Sequence, residues 1–203
     1  MDDTLQQQLE SWAGTIVSFH IPRWHELPEL DLYMDQVIVF SERILSNFPG
    51  DSPSKLISPS IINNYVKLDI IPQPVKKKYS RTHIAYLLMI CILKQVLPIS
   101  AITDLISYQL KISSIEEVYN HFCAVQEQAT RSAVELARDK ELLSKPGEDK
   151  PELALETLVL QMAAVANSSK ILAEKVINLW REQEDEAASE QEAADEKRSK
   201  AKK

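Results

Sequence analysis

The stretch of sequence that decides the fold runs from residue 57 to residue 97 and reads ISPSIINNYVKLDIIPQPVKKKYSRTHIAYLLMICILKQVL. It opens with Ser58 and Pro59, a strong helix start, because serine caps helices and proline is favoured at the first helical position. Pro72 and its neighbour Pro74 cannot continue a regular helix. We therefore predict a short helix at the front of this stretch.

A basic element and an apolar helix follow the short helix. Residues 76–79, Lys-Lys-Lys-Tyr, predict an extended or hairpin element. Ser80 then caps a helix that runs to about Leu97 and is apolar on almost every side. A helix of that kind is buried, so we expect it at the centre of the fold.

Amphipathic helices are predicted on both sides of this stretch, because apolar residues recur there at spacings of three and four. Residues 21–28 contain two prolines and predict an ordered loop instead. The predicted helices cover residues 4–18, a second helix from an N-cap at Asp31 to a stop at residues 48–50, a helix from Pro98 to about Leu110, and a long helix from Ser114 to about Leu143.

A second long helical piece carries a heptad seam with one polar break at Ser169. Such a seam predicts either a homodimer interface or a hairpin within one chain that turns at Pro146 and Gly147. We favour the homodimer, because monomers rarely leave such a stripe uncovered. The seam consists of Leu155, Leu158, Met162, Val165, Leu172, Val176 and Leu179.

The composition excludes several classes of protein. The 203 residues are 44% apolar, which suffices for a core, and the 3 glycines disfavour all-β folds and phosphate-cradling loops. The longest apolar stretch, residues 84–97, contains Lys94 and is too short to span a membrane. Two separated cysteines and the lack of an apolar leader predict a cytoplasmic protein that does not engage a membrane.

The reactive residue types form no motif of an enzyme or a metal centre. We find no nucleophile with a base, no paired carboxylates in a cleft and no cofactor loop, so no enzymatic activity and no cofactor are expected. The histidines are scattered without a metal-binding spacing, which predicts no metal site; they are His20, His25, His83 and His121.

The formal charge of −7 hides an uneven distribution along the chain. Residues 1–54 carry 2 basic and 9 acidic groups, whereas residues 55–95 carry 7 basic and 1 acidic group. Residues 96–144 carry 4 basic and 7 acidic groups, and residues 145–203 carry 10 basic and 13 acidic groups. A single basic segment therefore lies in an acidic chain, which indicates an anionic partner for that segment.

The short helix has one polar face, and its residue types suit duplex DNA. Ile62, Tyr65 and Val66 share the opposite, packing face. Asparagine can bond the N6 and N7 atoms of adenine, serine can donate or accept, and lysine suits a phosphate. We predict that Ser60, Asn63 and Asn64 contact DNA bases. Contacts with the phosphates of the DNA backbone are predicted for Lys67, Lys76, Lys77, Lys78 and Arg81. Alternatively, the two asparagines cap or bridge neighbouring loops.

The same residues resemble the sequences of two families. The run Ile62-Asn63-Asn64-Tyr65, with Pro72, Lys77-Lys78-Tyr79 and His83-Ile84, resembles an uncharacterised bacterial family, domain of unknown function 1836. The broader pattern, which adds Ile57 to Pro59 and Ile99 to Ile102, resembles the winged helix-turn-helix of MerR-type transcriptional regulators. The resemblance covers about residues 28–110.

The MerR resemblance implies a recognition helix at Pro59 to Lys67, a wing at Lys76 to Tyr79, and a long helix for antiparallel dimerisation. The chain departs from the pattern at four positions. Asn63 and Asn64 replace an arginine and a tyrosine, Asp69 replaces the usual glycine, and Lys77 replaces the wing arginine. In addition, the first helix of the motif lies far upstream, at residues 31–47.

These inferences predict a mainly α-helical protein with a MerR-like winged helix-turn-helix, a small β wing and long C-terminal helices. Its expected function is sequence-specific binding of double-stranded DNA as a homodimeric transcriptional regulator; the effector is unknown. The alternative is a protein interaction module that keeps this fold without DNA binding. The expected divisions are an N-terminal helix and loop (1–27), the DNA-binding domain (28–112), a helical dimerisation arm (113–180) and a charged disordered tail (181–203).

Overall fold

The computed structural model describes residues 3–46, 56–139 and 151–200. The described chain is mainly helical, as predicted, with one small antiparallel sheet. The helices are α1 (Asp3–Val17), α2 (Met34–Leu45), α3 (Pro59–Lys67), α4 (Arg81–Leu93), α5 (Ile99–Leu110), α6 (Ile115–Asp139) and α7 (Pro151–Lys200), and a 3₁₀ turn covers Trp24–Glu26. The strands are β1 (Leu32–Tyr33) and β2 (Lys78–Tyr79).

Two predicted helix boundaries differ in the structure. The second helix begins at Met34, and Asp31 is not its N-cap, because residues 32–33 pair with β2 before the helix starts. The Tyr33 N–H donates instead to Gln36 Oε1 at 2.9 Å. The central helix ends at Leu93 rather than near residue 97, and a turn leads from it to Pro98.

Helix α4 forms the centre of the core, as its uniformly apolar sequence predicts. The side chains from Ile84 to Ile92 are buried, apart from the half-buried Tyr86. Helices α2, α5 and α6 and strand β2 all pack against α4. Each leucine or isoleucine that is fully buried in this way contributes about 1.5 to 3 kcal/mol relative to an exposed position.

The loop before α2 is tied to α6 by a buried carboxylate. Glu127 accepts hydrogen bonds from the Ile21 N–H at 2.8 Å and from both terminal nitrogens of Arg23 at 2.8 and 2.7 Å. The Tyr119 hydroxyl donates to the Pro22 carbonyl at 2.8 Å. Burial raises the pKa of Glu127, but the hydrogen bonds from Arg23 and Ile21 outweigh it, so its pKa is lowered overall.

Helix α7 packs on α5 through one short patch. Ile177 is buried there, and the Trp180 ring stacks on Tyr108 with 4.4 Å between centroids and 4° between planes. Two ion pairs flank the stack, one between Arg181 and Asp104 and the other between Lys111 and Glu184. The fold therefore holds α7 mainly by its middle.

The C-terminal segment corrects one expectation. Residues 181–200 continue α7 as a helix, although their lack of large apolar side chains predicts disorder. Alanine, glutamate, glutamine and lysine are strong helix formers, and a helix that has already nucleated extends at little cost. The predicted hairpin turn at Pro146 and Gly147 lies outside the described residues, as do residues 201–203.

Within the described ranges, no helix is both long enough and apolar enough to cross a membrane.

The ion pair between Arg23 and Glu127 yields a stability prediction. The substitution Glu127→Ala leaves the Arg23 guanidinium and the Ile21 N–H without their shared acceptor, and it should lower the free energy of unfolding by about 3 to 5 kcal/mol. Chemical denaturation measures this loss. As the control, Glu135→Ala removes an exposed carboxylate from the same helix and should change stability by less than about 0.5 kcal/mol. Equal effects of the two substitutions would contradict the anchoring role.

Candidate nucleic-acid interface

Helix α3 places its polar and apolar residues on opposite sides. Ser58 caps the helix, since its Oγ accepts from the Ile61 N–H at 3.3 Å, and Pro59 occupies the first turn. Ile62 and Tyr65 are buried against the core. The predicted contact residues on the opposite face are all exposed; they are Ser60, Asn63, Asn64 and Lys67. The two asparagines are therefore accessible to a partner rather than buried as bridges between loops.

The end of α3 is held by a backbone motif. The Ile70 N–H donates to the Tyr65 carbonyl at 2.9 Å, and the Asp69 N–H donates to the Val66 carbonyl at 3.1 Å. This pair of bonds is the Schellman arrangement, which requires a left-handed residue after the helix. Asp69 adopts that conformation with φ of 53°, so the aspartate stands at a position that favours glycine.

The wing begins with a tight turn made of two lysines. Val75 and Lys78 exchange both backbone hydrogen bonds, at 3.1 and 2.9 Å, around Lys76 and Lys77. The φ angles of these two lysines are 51° and 63°. Positive φ at both central residues marks a type I′ turn, for which asparagine and glycine are preferred. The lysines thus hold an unfavourable backbone conformation while their side chains stay exposed.

A short sheet and one side-chain bond place the turn beside α3. Strand β2 pairs with β1 in the register Leu32 to Tyr79 and Tyr33 to Lys78. The Gln73 side chain donates to the Val66 carbonyl in the last turn of α3 at 3.1 Å. Three residues of chain reach at most about 11 Å, so the turn that starts at residue 76 lies near the end of α3.

The side chains of Lys78 and Arg81, the last two residues predicted to contact the DNA backbone, are held by other groups of the protein. Lys78 is half-buried, and its Nζ lies 5.2 Å from the centroid of the Tyr33 ring. Arg81 donates to the Leu27 carbonyl at 3.1 Å and lies over the Trp24 ring at 5.7 Å. Arg81 is therefore fixed to the N-terminal loop, whereas residues 67, 76 and 77 present the most accessible charges of the predicted set.

Sequence reasoning missed the residues that assemble this surface. Strand β1 is two residues long and shows no alternating pattern, and Gln73 has no local signal because its partner is seven residues away. The sequence also did not predict an open, mainly apolar groove beside α2, lined by Pro28, Leu32, Asp35, Gln36, Val39, Phe40 and Arg43. The pairing of β1 with β2 joins segments that are separate in the sequence, whereas the groove is formed within residues 28–43 by the way the loop folds onto α2.

The described residues contain no cluster of three or more histidine, cysteine, aspartate or glutamate side chains that could hold a metal ion.

Comparison with known proteins yields one family. Residues 22–122 match the family model described as Domain of unknown function (DUF1836). The match supports a domain of that family here, and it includes the N-terminal loop and the first part of α6 as well as the predicted domain. No curated protein and no solved structure matches the chain.

The strained turn yields a prediction that is independent of any partner. The double substitution Lys76→Asn and Lys77→Gly supplies the residues that a type I′ turn prefers, so it should raise the free energy of unfolding by about 1 to 2 kcal/mol. The control, Lys76→Ala with Lys77→Ala, removes the same charges but retains both β-carbons and should give no gain. Thermal denaturation of the two variants measures the difference, and equal stabilities would contradict the proposed strain.

Proposed function

We propose that the chain is a sequence-specific regulator that binds double-stranded DNA in the cytoplasm, with α2, α3 and the β1–β2 wing as a MerR-like winged helix-turn-helix. The observation that carries the proposal is the exposed polar face of α3 beside the turn at Lys76 and Lys77. Helix α3 would contact the DNA bases, and the turn would bind the phosphates.

The dimensions and chemistry of α3 support base recognition. Nine residues at 1.5 Å each form a rod of about 14 Å, and the major groove of about 12 Å admits an α-helix. Asn63 and Asn64 are exposed amides that can bond adenine through two atoms, and Ser60 lies one turn earlier. Because Ile62 and Tyr65 are packed on the core, the helix would be presented as a rigid element.

The wing supports phosphate binding. Lys76 and Lys77 keep a backbone conformation that costs each of them about 1 to 2 kcal/mol, and strain of this kind concentrates at functional sites. The left-handed turn projects both side chains into solvent at the tip. With Lys67 at the end of α3, they form a set of cations suited to the DNA backbone, and Lys78 and Arg81 would contribute from more fixed positions.

Selection from a random duplex library, followed by binding of the selected duplex over a range of salt concentrations, tests the proposal. The full chain should bind with a steep negative salt dependence, because bound phosphates release counterions. Lys76→Ala with Lys77→Ala, and Lys76→Asn with Lys77→Gly, should weaken binding to every duplex equally and reduce the salt slope by about 2. Asn63→Ala should instead relax the preference at one base pair, at a cost of about 1 to 3 kcal/mol.

A matched pair of substitutions controls for total charge. Lys170→Ala with Lys175→Ala removes two cations from α7 and should leave duplex binding unchanged. If this pair weakens binding as much as the wing substitutions do, net charge rather than the wing governs the interaction. A full chain that selects no duplex would refute the proposed function.

The alternative is a protein interaction module, and two observations favour it. Leu68 and Val75 are exposed apolar side chains at the end of α3 and at the wing. The apolar groove beside α2 is a second feature that could take a peptide side chain. Binding that depends on apolar area changes little with salt, so the salt series distinguishes this alternative from DNA binding.

A homodimer through α7 completes the proposal. In the predicted seam, Val165, Leu172 and Leu179 are exposed, and Met162 and Val176 are half-buried. Leu158 is buried within the chain, and the side chain of residue 155 lies outside the description. The patch that holds α5 uses other positions of α7, namely Ala173, Ile177, Trp180, Arg181 and Glu184.

Charge favours an antiparallel arrangement of the two copies. Residues 182–196 carry 8 acidic and no basic groups, whereas residues 151–181 carry 3 of each. A parallel pair would place the two acidic segments side by side, where like charges repel. An antiparallel pair over residues 162–179 would separate them to opposite ends.

The seam yields a prediction about oligomeric state. Leu172→Glu buries a charge in the proposed interface without affecting the core, because the Leu172 side chain is 66% exposed within the chain. Sedimentation should show a dimer for the unaltered protein and a monomer for this variant. The control is Leu160→Glu, which alters a side chain that is 72% exposed on the same helix but outside the seam, and it should remain dimeric. A monomeric unaltered protein would refute the dimer.

A further inference from the structure

His83 is the buried polar side chain that stands between the core and the wing. It lies in the first turn of α4, directly after β2, and is only 5% exposed. Its ring meets the edge of Tyr79 at 5.4 Å between centroids and 81° between planes. Its Nδ1 lies 3.0 Å from the Ser80 backbone nitrogen and 2.8 Å from Ser80 Oγ.

These contacts define the protonation state of the ring. A backbone N–H can only donate, so Nδ1 must be the unprotonated acceptor that caps the start of α4. The neutral ring therefore carries its proton on Nε2. That atom is buried and makes no well-formed hydrogen bond within the described part of the chain.

The groups around His83 come from several elements. Burial lowers the pKa of His83. The backbone groups of Pro72 and Gln73, which lie in the segment between α3 and the wing, act in the opposite direction and raise it. The carboxylate of Asp31, which precedes β1, also favours the charged ring. The phenol of Tyr79 faces it from β2. His83 thus lies among groups from the segment before the wing, from β2 and from the start of α4.

We propose that His83 is a proton-sensitive positioning residue, whose protonation releases the Ser80 N–H and loosens the wing that carries the lysine turn. Protonated Nδ1 becomes a donor, so it can no longer accept from the Ser80 N–H. The Ser80 hydroxyl can rotate and accept from it, but the backbone bond at the junction of β2 and α4 is lost. The stretch between Val75 and Ser80 is short, so this junction and the turn move together.

The direction of the effect follows from the lowered pKa. Stability from the neutral ring is fully present above the unfolded-state pKa of 6.5 and is lost progressively as the pH falls below it. Acidification should therefore weaken duplex binding, although most proteins gain positive charge and bind DNA more tightly at low pH. The consequence for DNA rests on the proposed function, whereas the loosening of the wing does not.

Amide hydrogen exchange at pH 7.5 and 5.5, corrected for the intrinsic rates, tests the conformational part. In the full chain, protection of the hydrogen-bonded amides of Val75, Lys78 and Ser80 should fall about tenfold at the lower pH relative to the amides of α4. In His83→Gln the glutamine oxygen can accept from the Ser80 N–H but does not titrate, so protection there should change less than twofold. His121→Gln, at an exposed histidine of α6, should behave as the unaltered protein.

The consequence for DNA binding is tested by measuring the affinity for the selected duplex by fluorescence anisotropy at constant ionic strength. The unaltered protein should lose about fivefold in affinity between pH 7.5 and 5.5, and His83→Gln less than twofold. Equal protection of the wing at both pH values would overturn the inference, even if DNA binds. A loosened wing with unchanged affinity would overturn the link to binding. Failure to bind DNA at any pH refutes the proposed function but leaves the exchange result to decide the loosening of the wing.

The unaltered protein provides a second measurement if His83→Gln does not fold. In an NMR titration, the His83 ring and the amides of Lys78 and Ser80 should shift with one common midpoint. Different midpoints would overturn the inference.

Discussion

The constraint on which the structure depends is that α4 must be covered on all sides. A helix that is apolar around its whole circumference is stable only where other elements surround it, and α2, α5, α6 and β2 do so. This requirement brings together elements from α2, which begins at Met34, to α6, which begins at Ile115. It also determines the position of the candidate site, because Ser80 and His83 at the start of α4 directly follow the wing strand.

The backbone around the candidate site is less favourable than the core beneath it. Asp69, Lys76 and Lys77 all have positive φ, and none of them is glycine. Asp69 keeps the Schellman bonds that end α3, while the lysines keep charge at the tip of the turn. The free energy gained by packing the core is many times larger than the cost of these three backbone conformations. The chain can therefore keep residues that are unfavourable for a tight turn but that would favour binding of the proposed partner.

Charge is unevenly distributed over the molecule. Lys67, Lys76 and Lys77 are exposed on α3 and the wing, whereas residues 182–196 of α7 carry 8 acidic and no basic groups. Under the proposed function, the exposed lysines would face the DNA, and the acidic residues of α7 would be repelled by it. The α5 patch, with Trp180 stacked on Tyr108, leaves Val165, Leu172 and Leu179 of the proposed seam exposed.

By itself, the sequence determined the elements with strong local signals: the Ser58 and Pro59 start of α3, the opposite faces of Ile62 and Asn63, and the burial of α4. Periodicity and capping act within a few residues, so they can be recognised without tertiary contacts. Only the tertiary structure decided that residues 32–33 pair with the wing and that Glu127 holds the loop at Arg23. Those interactions join positions that are 45, 47 and 104 residues apart, and no local pattern encodes which distant partner will satisfy a backbone amide or a charge.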